Sequence, residues 1–91
     1  MADPIAEYSM SPHAALEIQR RGIDEAAVRA VLAAPEQREV VRPGREVLQS
    51  LTELGGKRYR IRVFVDVDRR PAEVVTAYRT SRIGKYWRQD P

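Results

Sequence analysis

The stretch RYRIRVFVDV, residues 58–67, decides how this chain folds. Tyr59, Ile61, Val63, Val65 and Val67 alternate with Arg58, Arg60, Arg62, Phe64 and Asp66, the period of two that a strand shows when only one face is packed. The apolar set needs a covering layer. The other set begins with three arginines at alternate positions, which marks it as the open face of a sheet.

Working outward, Gly55-Gly56 before this strand is a strong two-residue hairpin signal. A two-residue turn there sets Leu54 opposite Lys57 and Glu53 opposite Arg58, so that Arg60 and Arg62 face Leu51 and Gln49 with no carboxylate directly across. Arg60 and Arg62 are therefore candidates to grip a phosphate, since guanidinium offers a rigid fork of donors. Pro43-Gly44 and Asp68 to Pro71 supply the other turns. They divide the chain after Pro35 into strands at Glu39–Arg42, Glu46–Glu53, Arg58–Val67 and Glu73–Thr80. The facing of the last strand depends on its register. Pairing Val65 with Val75 sets Arg62 opposite Tyr78 and Phe64 opposite Thr76, whereas pairing Val65 with Val74 turns Tyr78 toward Ile61 and the core. The first register buries Val75 and Ala77 and is the one taken here.

Before Pro35 the period is helical. Ser11 is an N-cap, Pro12 takes the first helical position, and Gly22 follows the end of the helix. Asp24 caps a second helix carrying Ala27, Val28, Val31 and Leu32 at helical spacing, and Pro35 forbids its continuation. The expected architecture is α+β: two N-terminal helices packed on one face of a four-stranded antiparallel meander, in the order ααββββ. Residues 1–91 form a single domain, with 1–10 a flexible N-terminal segment.

Composition narrows the chemistry. The 91 residues contain no cysteine and one histidine, which removes disulfides, thiol catalysis and cysteine-ligated zinc, and disfavours any histidine-built metal site. No metal or other cofactor is expected. No apolar run approaches the roughly 18–20 residues needed to span a bilayer, and the N-terminus lacks a basic region followed by an apolar one. A cytoplasmic protein without a membrane partner is expected.

The net charge of +3 is unevenly spread. Residues 1–56 hold 6 basic and 9 acidic side chains, whereas residues 57–91 hold 10 basic and 4 acidic, together with five of the six aromatic residues. Basic groups mixed with aromatic rings suit a phosphate backbone and stacked bases. On the first helix His13, Glu17 and Arg20 share a face opposite Ala14, Ala15 and Ile18, so the core does not require the histidine. An imidazole of this kind serves attack of a ribose 2′-hydroxyl on the adjacent phosphate, which needs proton transfer and charge stabilisation but no metal.

Two segments carry a family resemblance. SPHAALEIQRRGIDEAAVRAVLAAPE, residues 11–36, resembles the opening of the bacterial domain of unknown function 4258, in which a histidine and alanine begin a helix ending in Arg-Gly-Ile. VVTAYRTSRIGKYW, residues 74–87, resembles that family's last strand, with its Thr and Tyr and the Lys-Tyr that follows. The resemblance implies a two-layer domain similar to barnase, the EndoU nucleases, colicin nuclease domains and the RelE toxins, where RNA lies on the free sheet face and cleavage is typically metal-independent. It places His13 and Arg21 in the family's helix motif and Thr76 and Tyr78 in its strand motif. The chain departs from the pattern at Glu17, where the family commonly has a basic residue; a reversed charge there weakens phosphate binding.

Three readings follow. One is a RelE-like, toxin-like ribonuclease acting on RNA or the ribosome, with His13 and Tyr78 transferring protons and Arg60, Arg62 and Arg79 stabilising the phosphate. A second is a noncatalytic RNA-binding module using the same face. In the third an acidic, antitoxin-like protein covers that face and Tyr86 and Trp87 act as anchors.

Overall fold

The computed structural model describes residues 1–86. Its sheet runs through the centre of the chain as the 58–67 alternation requires. Strand β2 spans Gln37–Arg42, β3 Arg45–Leu54, β4 Lys57–Asp66 and β5 Ala72–Thr80, each antiparallel to the next. Gly55 and Gly56 both have positive φ, at 59° and 78°, as a type I′ hairpin demands. The β3–β4 register consequently sets Leu54 opposite Lys57, Leu51 opposite Arg60 and Gln49 opposite Arg62, as the turn chemistry predicts.

The expected four-stranded antiparallel meander is corrected in one respect: the sheet is five-stranded and mixed, in the order β1-β5-β4-β3-β2. The extra strand, β1 at Tyr8–Met10, comes from the N-terminal segment and pairs parallel to β5, with Tyr8 beside Ala72 and Met10 beside Val74. The residues before it are tied down by backbone bonds from Ala2 to the Pro35 carbonyl and from Ile5 to the Leu32 carbonyl, each 2.9 Å. Ile5, Tyr8 and Met10 pack against the buried core. Partial burial of these three side chains offsets part of the entropy cost of ordering the segment.

The last strand differs from expectation at one residue. Arg62 pairs with Tyr78 and Phe64 with Thr76, but Val65 pairs with Val74, because Val75 is an extra residue in β5. This bulge changes which side chains face the core. Val74 and Ala77 are fully buried, Val75 only partly, while Thr76 and Tyr78 keep to the arginine-bearing face.

Helix α1 spans Pro12–Arg20 and α2 Glu25–Ala33. The Ser11 hydroxyl accepts the Ala14 amide at 3.0 Å, supplying the N-cap. At the other end Gly22, at φ 76°, donates to the Gln19 carbonyl, and Ile23 donates to that of Ile18. These two bonds make a Schellman motif, and Ile18 and Ile23 provide its buried apolar contact. Asp24 occupies the N-cap position of α2 without a side-chain cap bond, so its contribution is the charge near the positive helix end. Ala14 and Ile18 of α1 and Val28, Val31 and Leu32 of α2 are buried, and the core they form includes Leu48, Ile61, Val63 and Val65 of the sheet. Ala15, expected to join that core, is exposed. A short helix, α3, spans Ile83–Tyr86. Trp87, one of the two anchors of the partner reading, lies outside the described residues.

Gly22 is constrained twice. Its φ is left-handed, and a Cβ there would stand 3.2 Å from Nη2 of Arg79. Gly22→Ala is therefore expected to lower stability by about 1–2 kcal/mol, read as a reduced urea midpoint with unchanged slope. At the opposite end of the sheet Arg45 donates from Nε and Nη2 to the Asp66 carboxylate at 2.7 and 3.1 Å. That bidentate bond holds the Asp66 carboxyl below the usual carboxylate range despite its burial. The stabilisation is thus complete above about pH 4, the unfolded value, and is lost as pH falls through the lower folded value. Acid titration of Asp66→Asn, followed by circular dichroism, should show a shallower loss of stability below that pH than the wild type.

Candidate functional site

Positions 13, 17 and 21 are one turn apart on α1, so their side chains meet on one stripe. Glu17 is the centre of that stripe. One carboxylate oxygen, Oε2, lies 3.6 Å from Nε2 of His13, while the other, Oε1, lies 2.8 Å from Nη2 of Arg21. The His13 side chain is 87% exposed. Sequence reasoning joined Arg20 to this face; the residue that meets Glu17 is Arg21.

Arg21 links the helix to the sheet. β1 covers β5 only along Ala72–Val74, and past that point no strand among the described residues lies beside the outer edge of β5. Arg21 fills the gap: its Nη1 donates to the Ala77 carbonyl and to the Thr76 hydroxyl, both at 3.0 Å. Thr76 in turn donates to Oε1 of Glu17 at 3.2 Å. Exposed edge carbonyls need partners, and here a side chain takes the role of a strand. His13, Glu17, Arg21 and Thr76 form one continuous group along this edge.

Tyr78 lies two residues further along β5 on the same face as Thr76, about 7 Å away along the strand. It belongs to a different network. Gln37, Gln49, Arg62 and Tyr78 are direct cross-strand partners on β2, β3, β4 and β5. Their side chains bond in sequence: Gln49 Nε2 donates to Gln37 Oε1 at 2.6 Å, Arg62 Nε to Gln49 Oε1 at 2.9 Å, and Arg62 Nη1 to the Tyr78 hydroxyl. The Tyr78 and Phe64 rings stack at 5.9 Å, with the Arg62 guanidinium within 5.6 Å of both. Arg62 is held in place by its own sheet.

The two arginines expected on an open face are therefore corrected. Arg62 is half-buried in the polar row, and Arg60 is fully buried at 0% exposure. Burial, with the neighbouring Arg62 charge adding to it, pushes the Arg60 guanidinium below its ordinary value. Alternation identifies the face a residue shares, but the depth of burial is set by side chains from neighbouring strands.

Arg79 points to the helix side. Its guanidinium lies 4.9 Å from the centre of the Tyr59 ring and against Gly22. The seven residues singled out in the sequence thus separate into an edge group (His13, Arg21, Thr76), a face group (Arg60, Arg62, Tyr78) and Arg79. Sequence reasoning missed Glu17 as a hub, although its spacing of four from both His13 and Arg21 was available. It also missed Gln49, whose place opposite Arg62 follows from the hairpin.

Among the described residues no three His, Cys, Asp or Glu side chains gather as metal ligands, and no helix is long and apolar enough to cross a membrane. A family model described as "Domain of unknown function (DUF4258)" matches residues 10–79. No curated protein and no solved structure matches the chain.

Gln49 is 1% exposed and bonds to polar groups on both sides. Gln49→Leu keeps the volume but leaves Arg62 and Gln37 short of a partner. Urea denaturation is expected to show a loss of about 1–3 kcal/mol, against under 0.5 kcal/mol for a change at an exposed site such as Arg29.

Proposed function

The chain belongs to the DUF4258 family, and we propose that it is a small, toxin-like RNA-binding protein that cleaves RNA without a metal ion along the open edge of β5. The observation that carries this reading is an exposed imidazole set beside a carboxylate that also holds a guanidinium. In the reaction, the 2′-hydroxyl of one ribose attacks the adjacent phosphorus. The O2′–P bond forms, the P–O5′ bond breaks, and one proton is taken up while another is delivered.

The chain offers a group for each transfer. His13 accepts the 2′-hydroxyl proton, and Glu17 stabilises the imidazolium that results. Tyr78 donates its proton to the departing 5′-oxygen, its hydroxyl held in position by the hydrogen bond from Arg62. Arg21 and Thr76 lie between the two along the edge, where they meet the phosphate. Solvent returns both groups to their starting protonation.

A second reading has one observation in its favour. Glu17 already neutralises Arg21 at 2.8 Å, which suits a module that binds RNA through other cations and does not cleave it. Labelled RNA incubated with EDTA separates the two. The ribonuclease reading expects His13→Ala and Tyr78→Phe each to slow cleavage by about a hundredfold or more, with native circular dichroism. Cleavage unchanged in both variants would overturn the assignment of these residues. Salt-sensitive binding by a wild type that cleaves nothing would select the second reading.

A further inference from the structure

Four arginines outside the edge and face groups are neutralised by carboxylates. Arg29 pairs with Glu25, Arg38 with Glu46, Arg45 with Asp66 and Arg69 with Glu73. Lys57 and Arg79 stand apart even from the other cations without an ion pair among the described residues, such as Arg20, Arg58 and Arg70, because they meet at one ring. Among the described residues neither is paired with a carboxylate, and both are exposed. Instead they share one half-buried ring, with the Lys57 ammonium 5.7 Å and the Arg79 guanidinium 4.9 Å from the centre of Tyr59.

Arg79 is pre-organised as well as unpaired. Its guanidinium lies close to both the Tyr59 ring and Gly22, which narrows the freedom that an isolated surface arginine would lose on binding. Gly22 directly follows Arg21, and Arg79 follows Thr76 by three positions, about 10 Å along β5. The α1–α2 turn thereby connects the edge group to the Lys57–Tyr59–Arg79 cluster. Two ways of meeting a polyanion sit end to end on one strand.

We infer that Lys57, Tyr59 and Arg79 form a second subsite, which takes the backbone phosphates of single-stranded RNA lying beyond the site of cleavage. The inference rests on the RNA reading above. Cations arranged around an aromatic ring on one surface are what a single strand calls for: charges for the backbone and a π-face for the base. A guanidinium offers phosphate oxygens a planar fork of donors.

The test is fluorescence anisotropy with a dye-labelled, single-stranded 2′-deoxy oligonucleotide, which binds but lacks the attacking hydroxyl, titrated at several salt concentrations. Each phosphate contact contributes about 0.7 to the slope of log affinity against log salt for single strands. The wild type should bind with a salt-dependent affinity. Lys57→Gln, an exposed change that touches no core residue, should lower the slope by about 0.7, and Lys57→Gln with Arg79→Gln by about 1.4. Arg79→Lys should keep the slope and lose affinity, because charge remains without the fork.

An unchanged slope and affinity in the double variant, with the wild type binding, would overturn the subsite and leave the RNA reading standing. Absence of wild-type binding at low salt, or preference for poly-glutamate over an oligonucleotide of equal length, would overturn both.

Discussion

One extra residue in β5 governs the arrangement of this molecule. Val75 interrupts the pairing with β4, so that Val74 and Ala77 both reach the core while Thr76 and Tyr78 both reach the opposite face. Without the bulge, strict alternation would give Thr76 and Val74 the same side. The strand would then have to choose between filling the core beneath α1 and presenting its polar groups. The bulge removes the conflict, and the segment before it is left in register with β1. Core, edge group and polar row therefore share a single cause.

The polar row across the sheet is a second constraint, and it acts on specificity more than on stability. A chain of Gln37, Gln49, Arg62 and Tyr78 is satisfied only when four strands hold one relative register, since a slip by one residue would strand every donor at once. Apolar packing on the helix side tolerates exchange of one aliphatic side chain for another. The two faces thus divide the work: one supplies most of the burial, the other fixes alignment. Surface pairs such as Arg29 with Glu25 add little to either.

The central hairpin was legible in the sequence residue by residue, because alternation and a Gly-Gly turn are local signals. The helices were legible for the same reason, through Ser11, Gly22 and Pro35. β1 was not: three residues cannot show a period, and their partner lies near the far end of the chain. The bulge was equally hidden, since Val74 and Val75 are chemically alike and only the packed core distinguishes them. For the candidate site, the sequence identified the residues of the edge group but divided them differently. Arg60 went wrong because an arginine's burial depends on neighbours that its own strand does not reveal.

The parallel pairing of Tyr8 with Ala72 also bears on how the fold is reached. Adjacent strands pair as hairpins, closed by two residues at β2–β3 and β3–β4 and by a longer loop at β4–β5, and the helices are joined by a short turn. The parallel pairing, like the bonds of Glu17 and Arg21 to Thr76, requires β5 to have been made. During synthesis, the helices and the β2–β3–β4 meander can assemble in order, while β1 waits for β5 to emerge. Until then the apolar side of Ile5, Tyr8 and Met10 is uncovered, and the edge where Arg21 will bond does not exist. The last strand made is accordingly the one that both seals the core and completes the candidate site, so an incomplete chain lacks the edge along which RNA is proposed to lie.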